Sequence, residues 1–139
     1  MATTLNPYLS FRGQARQAME FYRSVLGGEL GTTTFGEAMP DSVTAEEQDN
    51  LMHAQLVSTA GLVLMGSDAP MSMAFEAGSN ISVSLSGSDE AELTGYYDGF
   101  SAAGTILEPL AKAPWGDSFG MVRDQFGVVW MFNIGSSPV

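Results

Sequence analysis

Two heptapeptides, GLVLMGS at 61–67 and GVVWMFN at 127–133, share a leading glycine, four apolar positions and a methionine, sixty-six positions apart by subtraction. They close two longer blocks with the same order of signals. In the first, LNPYLSF at 5–11 alternates as a strand, and residues 14–26 place Ala18, Phe21, Tyr22, Val25 and Leu26 at helical spacing before Gly27 and Gly28. In the second, NISVSLS at 80–86 alternates, Ser88-Asp89-Glu90 starts a helix, and Leu93, Tyr96, Tyr97 and Phe100 keep helical spacing to Gly104. Each half therefore reads β-α-β-β-β, with strands near 5–11, 30–35, 51–58 and 62–67, then near 80–86, 105–110, 118–123 and 127–133. Repeats of this length usually cannot bury their own apolar faces alone, so the two halves are expected to form half-barrels that close on each other.

At 139 residues and 45% hydrophobic content, the chain suits one domain, 1–139, with a first module to about 68, a flexible join at 67–79 and a second module at 80–135. The absence of cysteine excludes disulfides, thiolate nucleophiles and Cys-based zinc or iron–sulfur sites. MATTLNPYLSF lacks a basic stretch leading into a long apolar run, and no eighteen apolar residues occur together, so a cytoplasmic protein without signal peptide or membrane span is expected. Sixteen acids against five bases give −11, a charge that repels phosphate backbones and anionic lipid heads. Nucleic acid is accordingly not expected as a partner. Arg12, Arg16 and Arg23 lie in one early stretch and read as a solvated helix face. GEAMPDSVTAEEQDN at 36–50 holds five acids and no base, and reads as a solvated loop or short surface helix rather than a lid.

The opening LNPYLSFRGQARQAMEFYRSVLGG, the hairpin MHAQLVSTAGLVLMGSD, SNISVSLS, the PWG at 114–116 and the closing DQFGVVWMFN together resemble the PhnB-like branch of the glyoxalase/bleomycin resistance/extradiol dioxygenase (vicinal oxygen chelate) superfamily. The resemblance spans nearly the whole chain. It implies an α+β fold of two βαβββ modules, forming a cupped, half-open mixed barrel with helices outside, commonly as a homodimer. In metal-using relatives, the first strand of each module offers a His and the last a Glu to a divalent ion in the cavity. The best-matching positions here are Asn6, Met65, Asn80 and Met131, with Pro7 and Leu64 if the register moves by one residue. None is a good ligand, because a thioether is soft and a lone amide oxygen is a weak, uncharged donor. His53 is the only histidine and cannot alone replace four ligands. No metal and no cofactor are expected.

Strand alternation places Asn6, Tyr8 and Ser10, then Asn80, Ser82 and Ser84, on the side facing the cavity, with Val63, Met65, Val129, Met131 and Asn133 from the closing strands. A space with apolar floor and neutral hydrogen-bonding groups is the usual character of a small-molecule site, and methionine adapts to irregular or aromatic ligands. The alternative is that these side chains simply fill the interior. Three polar residues on one face, Asn80, Ser82 and Ser84, argue against that, being poor core material. Trp115 and Phe119 form an aromatic wall at the cavity mouth, or else cover the end of the core. Asp68 and Asp117 read as loop carboxylates with access to the cavity, and His53 as the one side chain suited to acid–base chemistry near neutrality.

No Ser-His-acid arrangement, Walker loop or Gly-x-Gly element occurs. Few inward cations are available to clamp an oxyanion, so neither ubiquinone-pathway methyl transfer nor phosphonate chemistry is carried across. The expectation is a metal-free protein holding a small apolar or aromatic ligand. Two alternatives stand beside it: a lyase, isomerase or dioxygenase with a site rebuilt from His53, Asp68 or Asp117, and a dimer with a purely structural, associative role.

Overall fold

The computed structural model describes residues 3–78 and 80–135. Its first unit, Met1–Glu76, contains β1 (Tyr8–Phe11), α1 (Ala15–Leu26), β2 (Glu29–Thr34), α2 (Phe35–Ala38), two short 3-10 turns, β3 (Leu51–Val57) and β4 (Val63–Asp68). The second, Ala77–Val139, contains β5 (Val83–Gly87), α3 (Glu90–Ala103), β6 (Thr105–Lys112), β7 (Ser118–Arg123) and β8 (Val129–Ile134). The fold is α+β, with two separate four-stranded mixed sheets in the orders β1-β4-β3-β2 and β5-β8-β7-β6. In each, the first strand pairs parallel with the last, and the remaining pairs are antiparallel. No closed barrel occurs among the described residues.

The repeat extends to individual hydrogen bonds. In the β3–β4 turn, Ser58 N–H donates to the Leu62 carbonyl at 2.8 Å and Leu62 N–H donates to Ser58 Oγ at 3.0 Å. In the β7–β8 turn, Asp124 N–H donates to the Val128 carbonyl at 2.8 Å and Val128 N–H to Asp124 Oδ1 at 3.0 Å. Both turns pass through left-handed backbone, at Gly61 (φ 87°) and Gly127 (φ 91°), a conformation costly for residues bearing a Cβ. These are the two leading glycines of the sequence repeat.

Helical spacing on α1 buries Ala15, Ala18, Met19, Tyr22 and Leu26, and β3 and β4 present Ala54, Leu56 and Leu64 to the same core. On α3, Leu93, Tyr97 and Phe100 are buried beside Val122, Trp130 and Phe132. Phe100 lies 4.4 Å from Trp130 between ring centroids, and Tyr97 meets Phe132 edge-on at 5.5 Å. Large side chains buried in this way contribute about 1.5–3 kcal/mol each, so these clusters outweigh any single polar contact in setting which sheet face receives the helix.

One expectation changes. The opening strands are shorter than the alternation suggests: β1 starts at Tyr8, not residue 5, and β5 at Val83, not residue 80. Leu5 and Ile81, which continue the alternating pattern, are 98% and 80% exposed, so periodicity there has nothing to bury against. The acidic stretch 36–50 folds into α2 and the 3-10 turns Pro40–Ser42 and Ala45–Glu47. Glu47 is buried, and its Oε2 accepts from Met71 N–H at 2.8 Å, a bond that holds its carboxyl below the usual range. Arg12 donates to the Met73 and Pro70 carbonyls and lies over the Phe75 ring at 5.3 Å. Much of the expected join, through Phe75, is thereby tied to the first unit, while Ser79 lies outside the described residues.

Candidate functional site: the helix-free sheet faces

Because side chains alternate along a strand, the residues that do not face α1 or α3 form a second face on each sheet. Register fixes which ones meet. In the first module Tyr8 pairs with Met65 and Met65 with Gln55, while Ser10 pairs with Ser67. In the second, Ser84 pairs with Met131, Met131 with Met121, and Met121 with Glu108. Met65 and Met131 thus hold equivalent positions, and Tyr8 corresponds to Ser84.

One concavity lies in the second module. β6 is an edge strand carrying Pro109, and its register with β7 shifts between Ile106 and Glu108 and again between Glu108 and Ala111. Proline has no N–H to give a ladder, which confines it to such edges and bulges. Tyr97 supports the irregularity from the helix, its hydroxyl accepting from Leu110 N–H at 3.2 Å. Gly120 leaves room for that ring, since a Cβ there would stand 2.9 Å from Tyr97 Cε2. Between the bent strand and the 113–116 turn runs a groove of about 340 Å³, lined by Leu107, Glu108, Pro109, Ala111, Lys112, Ala113, Pro114, Trp115, Phe119 and Met121. The size is at the small end of small-molecule sites, roughly 300–1,000 Å³. Lys112, the only lysine in the chain, and Glu108 are its charged side chains.

Trp115 is 61% exposed, yet its position is determined. The indole Nε1–H donates to Asn133 Oδ1 at 3.3 Å, and the ring meets Phe119 edge-on at 5.6 Å. Asn133 is buried and its Nδ2 donates to Asp117 Oδ2 at 3.0 Å. Asp117 and Asn133 therefore brace the turn that presents the tryptophan.

In the first module, Tyr8 Oη and His53 Nδ1 are 2.9 Å apart, with ring centroids at 5.6 Å. His53 is half-buried.

Several expected site residues are placed differently. Asn6 lies before β1 and Asn80 and Ser82 before β5; both Asn80 and Ser82 are exposed, and Ser84 alone of the serine–asparagine run lies in the strand. Since Tyr8 corresponds to Ser84, Asn6 corresponds to Ser82, and the pairing of Asn6 with Asn80 does not hold. Asp68 is not a loop carboxylate open to a cavity. It ends β4, is buried, and accepts from Gly13 N–H at 2.7 Å, Ala15 N–H at 3.0 Å and Leu51 N–H at 3.0 Å, joining the start of α1 to the start of β3. Glu108, Pro109, Lys112 and Met121 were not among the expected site residues. Their sequence signal is two prolines, 109 and 114, interrupting an otherwise strand-like run.

The donor set on these faces does not suit a divalent ion. Met65 and Met131 offer thioethers, and among the described residues no group of three or more His, Cys, Asp or Glu side chains comes together.

The model of the 3-demethylubiquinone-9 3-methyltransferase family matches residues 3–132. The chain belongs to this family. It is 34% identical to Protein YjdN of Escherichia coli (strain K12), with 94% of each chain covered. The crystal structure of protein PA1353 from Pseudomonas aeruginosa is also 34% identical, superposes with a TM-score of 0.84, and covers 98% of this chain and all of its own. A glyoxylase/bleomycin resistance protein/dioxygenase domain from Frankia sp. EAN1pec shares the fold at 15% identity, with a TM-score of 0.64 over 98% of this chain and 99% of that one. Among the described residues, no helix is long and apolar enough to cross a membrane.

Proposed function

We propose that this PhnB-like chain binds a small, neutral, apolar or aromatic molecule without a divalent metal, principally in the groove of the second module, and does so as a cytoplasmic homodimer. The observation that carries the reading is Trp115: a largely exposed indole held by Asn133 beside Phe119, on the wall of an apolar groove. An exposed aromatic held in place in this way loses little side-chain entropy when a ring stacks on it. Met121 in the groove, with Met131 beside it in register, adds polarisable surface that accommodates ligands of different outline. About 340 Å³ limits the occupant to one or two rings. A total charge of −11 disfavours anionic ligands and nucleic acid alike.

The family model's description names a methyltransferase. The β1–α1 turn, residues 12–14, contains the single glycine Gly13 rather than a glycine-rich cradle, and methyl transfer is not part of this reading.

The test is a nitrogen-15 correlation spectrum, in which the two tryptophans give two indole signals. Titration with 2-naphthol, a neutral bicyclic probe, should move the Trp115 signal saturably and leave that of Trp130 unchanged, since Trp130 is buried and donates to Asp124 at 2.9 Å. No response of Trp115 to this or related one- and two-ring compounds would refute the reading.

A further inference from the structure

We propose that the Tyr8–His53 pair of the first module is a further binding site, one that takes a neutral carbonyl compound, a ketone or aldehyde, through a hydrogen bond from His53 Nε2. Tyr8 stands on β1 and His53 on β3, with β4 between them. Two strand spacings are roughly 9–10 Å, so only a long side chain lying across the face brings its end to the imidazole. The hydroxyl oxygen lies 2.9 Å from Nδ1. A phenol O–H is a good donor and an unprotonated ring nitrogen a good acceptor, so we assign the bond from Tyr8 to Nδ1, with the proton of the neutral imidazole on Nε2. Tyr8 is in this sense a positioning residue: it selects the tautomer.

Nε2–H then points from a half-buried ring with no hydrogen-bond partner among the described residues. A donor of this kind, without a protein partner, is open to an incoming acceptor. The surroundings specify what sort. On this face His53 pairs with Thr33 of β2, β4 contributes Met65 and Ser67, and β1 contributes Tyr8 and Ser10. The charged strand residue on this face, Glu29, pairs with Val57, four positions along β3 from His53. Asp68 turns to the opposite face, where three backbone amides hold it. The strands β1 to β4 carry no lysine or arginine to hold a carboxylate or phosphate, and a chain of net charge −11 repels both. A neutral carbonyl oxygen satisfies the donor without that penalty, and the Met65 thioether offers an apolar seat for its substituent.

His53 is the only histidine, so its ring nitrogens are read without ambiguity in the intact nitrogen-15-labelled protein. In the free protein Nε2 should carry the proton. Acetophenone should shift Nε2 saturably, while ethylbenzene, which keeps the ring but lacks the oxygen, should leave it in place. Tyr8→Phe retains a ring that is about half exposed and should fold normally. It should give a tautomer mixture and weaken acetophenone binding about threefold to tenfold, the range of one net hydrogen bond. A proton on Nδ1 in the free protein, an equal response to ethylbenzene, or unchanged affinity in Tyr8→Phe would each overturn the proposal. A shift confined to the Trp115 indole would overturn it too, while leaving the groove of the second module intact as a site.

Discussion

Replacing Asp68 tests whether that carboxylate is structural, as its contacts state, or available for chemistry. Its Oδ1 accepts from the amides of Gly13 and Ala15 and its Oδ2 from that of Leu51, at 2.7, 3.0 and 3.0 Å, with the residue 3% exposed. Asp68→Ala strands three amides away from water, each costing about 1–3 kcal/mol, partly offset because a buried charge is removed as well. A loss of about 3–6 kcal/mol is expected, a large share of the roughly 5–15 kcal/mol that holds a typical domain together. Asp68→Asn discriminates more finely. Its amide oxygen still serves Gly13 and Ala15, but its NH2 faces the Leu51 N–H donor to donor, so a loss of about 2 kcal/mol is expected, from one charge-assisted bond and one unsatisfied amide. Urea unfolding followed by circular dichroism should order the midpoints wild type, Asp68→Asn, Asp68→Ala. Unchanged midpoints for both variants, combined with lost ligand binding, would refute the structural assignment.

Tyr97→Phe removes the acceptor of the Leu110 amide and should destabilise by about 1 kcal/mol, measured by the same unfolding assay, while altering the line widths of β6 amides around the bulge. Asn133→Ala removes the brace between Trp115 and Asp117, so the Trp115 indole signal should move toward that of a free side chain and any 2-naphthol affinity should fall severalfold. Tyr96 donates to Glu92 at 2.6 Å, and burial together with that bond pushes its hydroxyl up to about 12. Ultraviolet titration should resolve one tyrosine near that value; the folded state's preference for the neutral phenol is fully present below pH 10.0, the ordinary value, and is lost as pH rises through about 12. Glu92→Gln should lower it only in part, because burial is the larger cause.

The repeat made most of the fold legible, because apolar periodicity is enforced wherever a helix covers a sheet face. Val122, Trp130 and Phe132 could be assigned to the core from alternation alone, and are buried. The same rule misled at Asn80 and Ser82, where the chain alternates but no neighbouring strand has yet begun to pair. Asp68 was opaque for a different reason. Its partners Gly13 and Leu51 are 55 and 17 residues away, and SDAP is indistinguishable from a solvated turn by composition. The groove likewise depends on two register shifts in β6, and a bulge erases the periodicity from which a face would be read. Trp115 and Phe119 were visible as an aromatic pair, but the asparagine and aspartate that hold the tryptophan meet it only through the fold.

Under the proposed function, thioethers, aromatic rings and neutral polar groups on the helix-free faces take a ligand without help from a cation. Calorimetric titration of 2-naphthol into protein dialysed against EDTA, repeated after adding back manganese, nickel or zinc, decides whether a metal takes part. Saturable binding of equal affinity is expected in every case. Binding that appears only when a divalent metal is restored, or metal that stays with the protein through dialysis in stoichiometric amount, would contradict it.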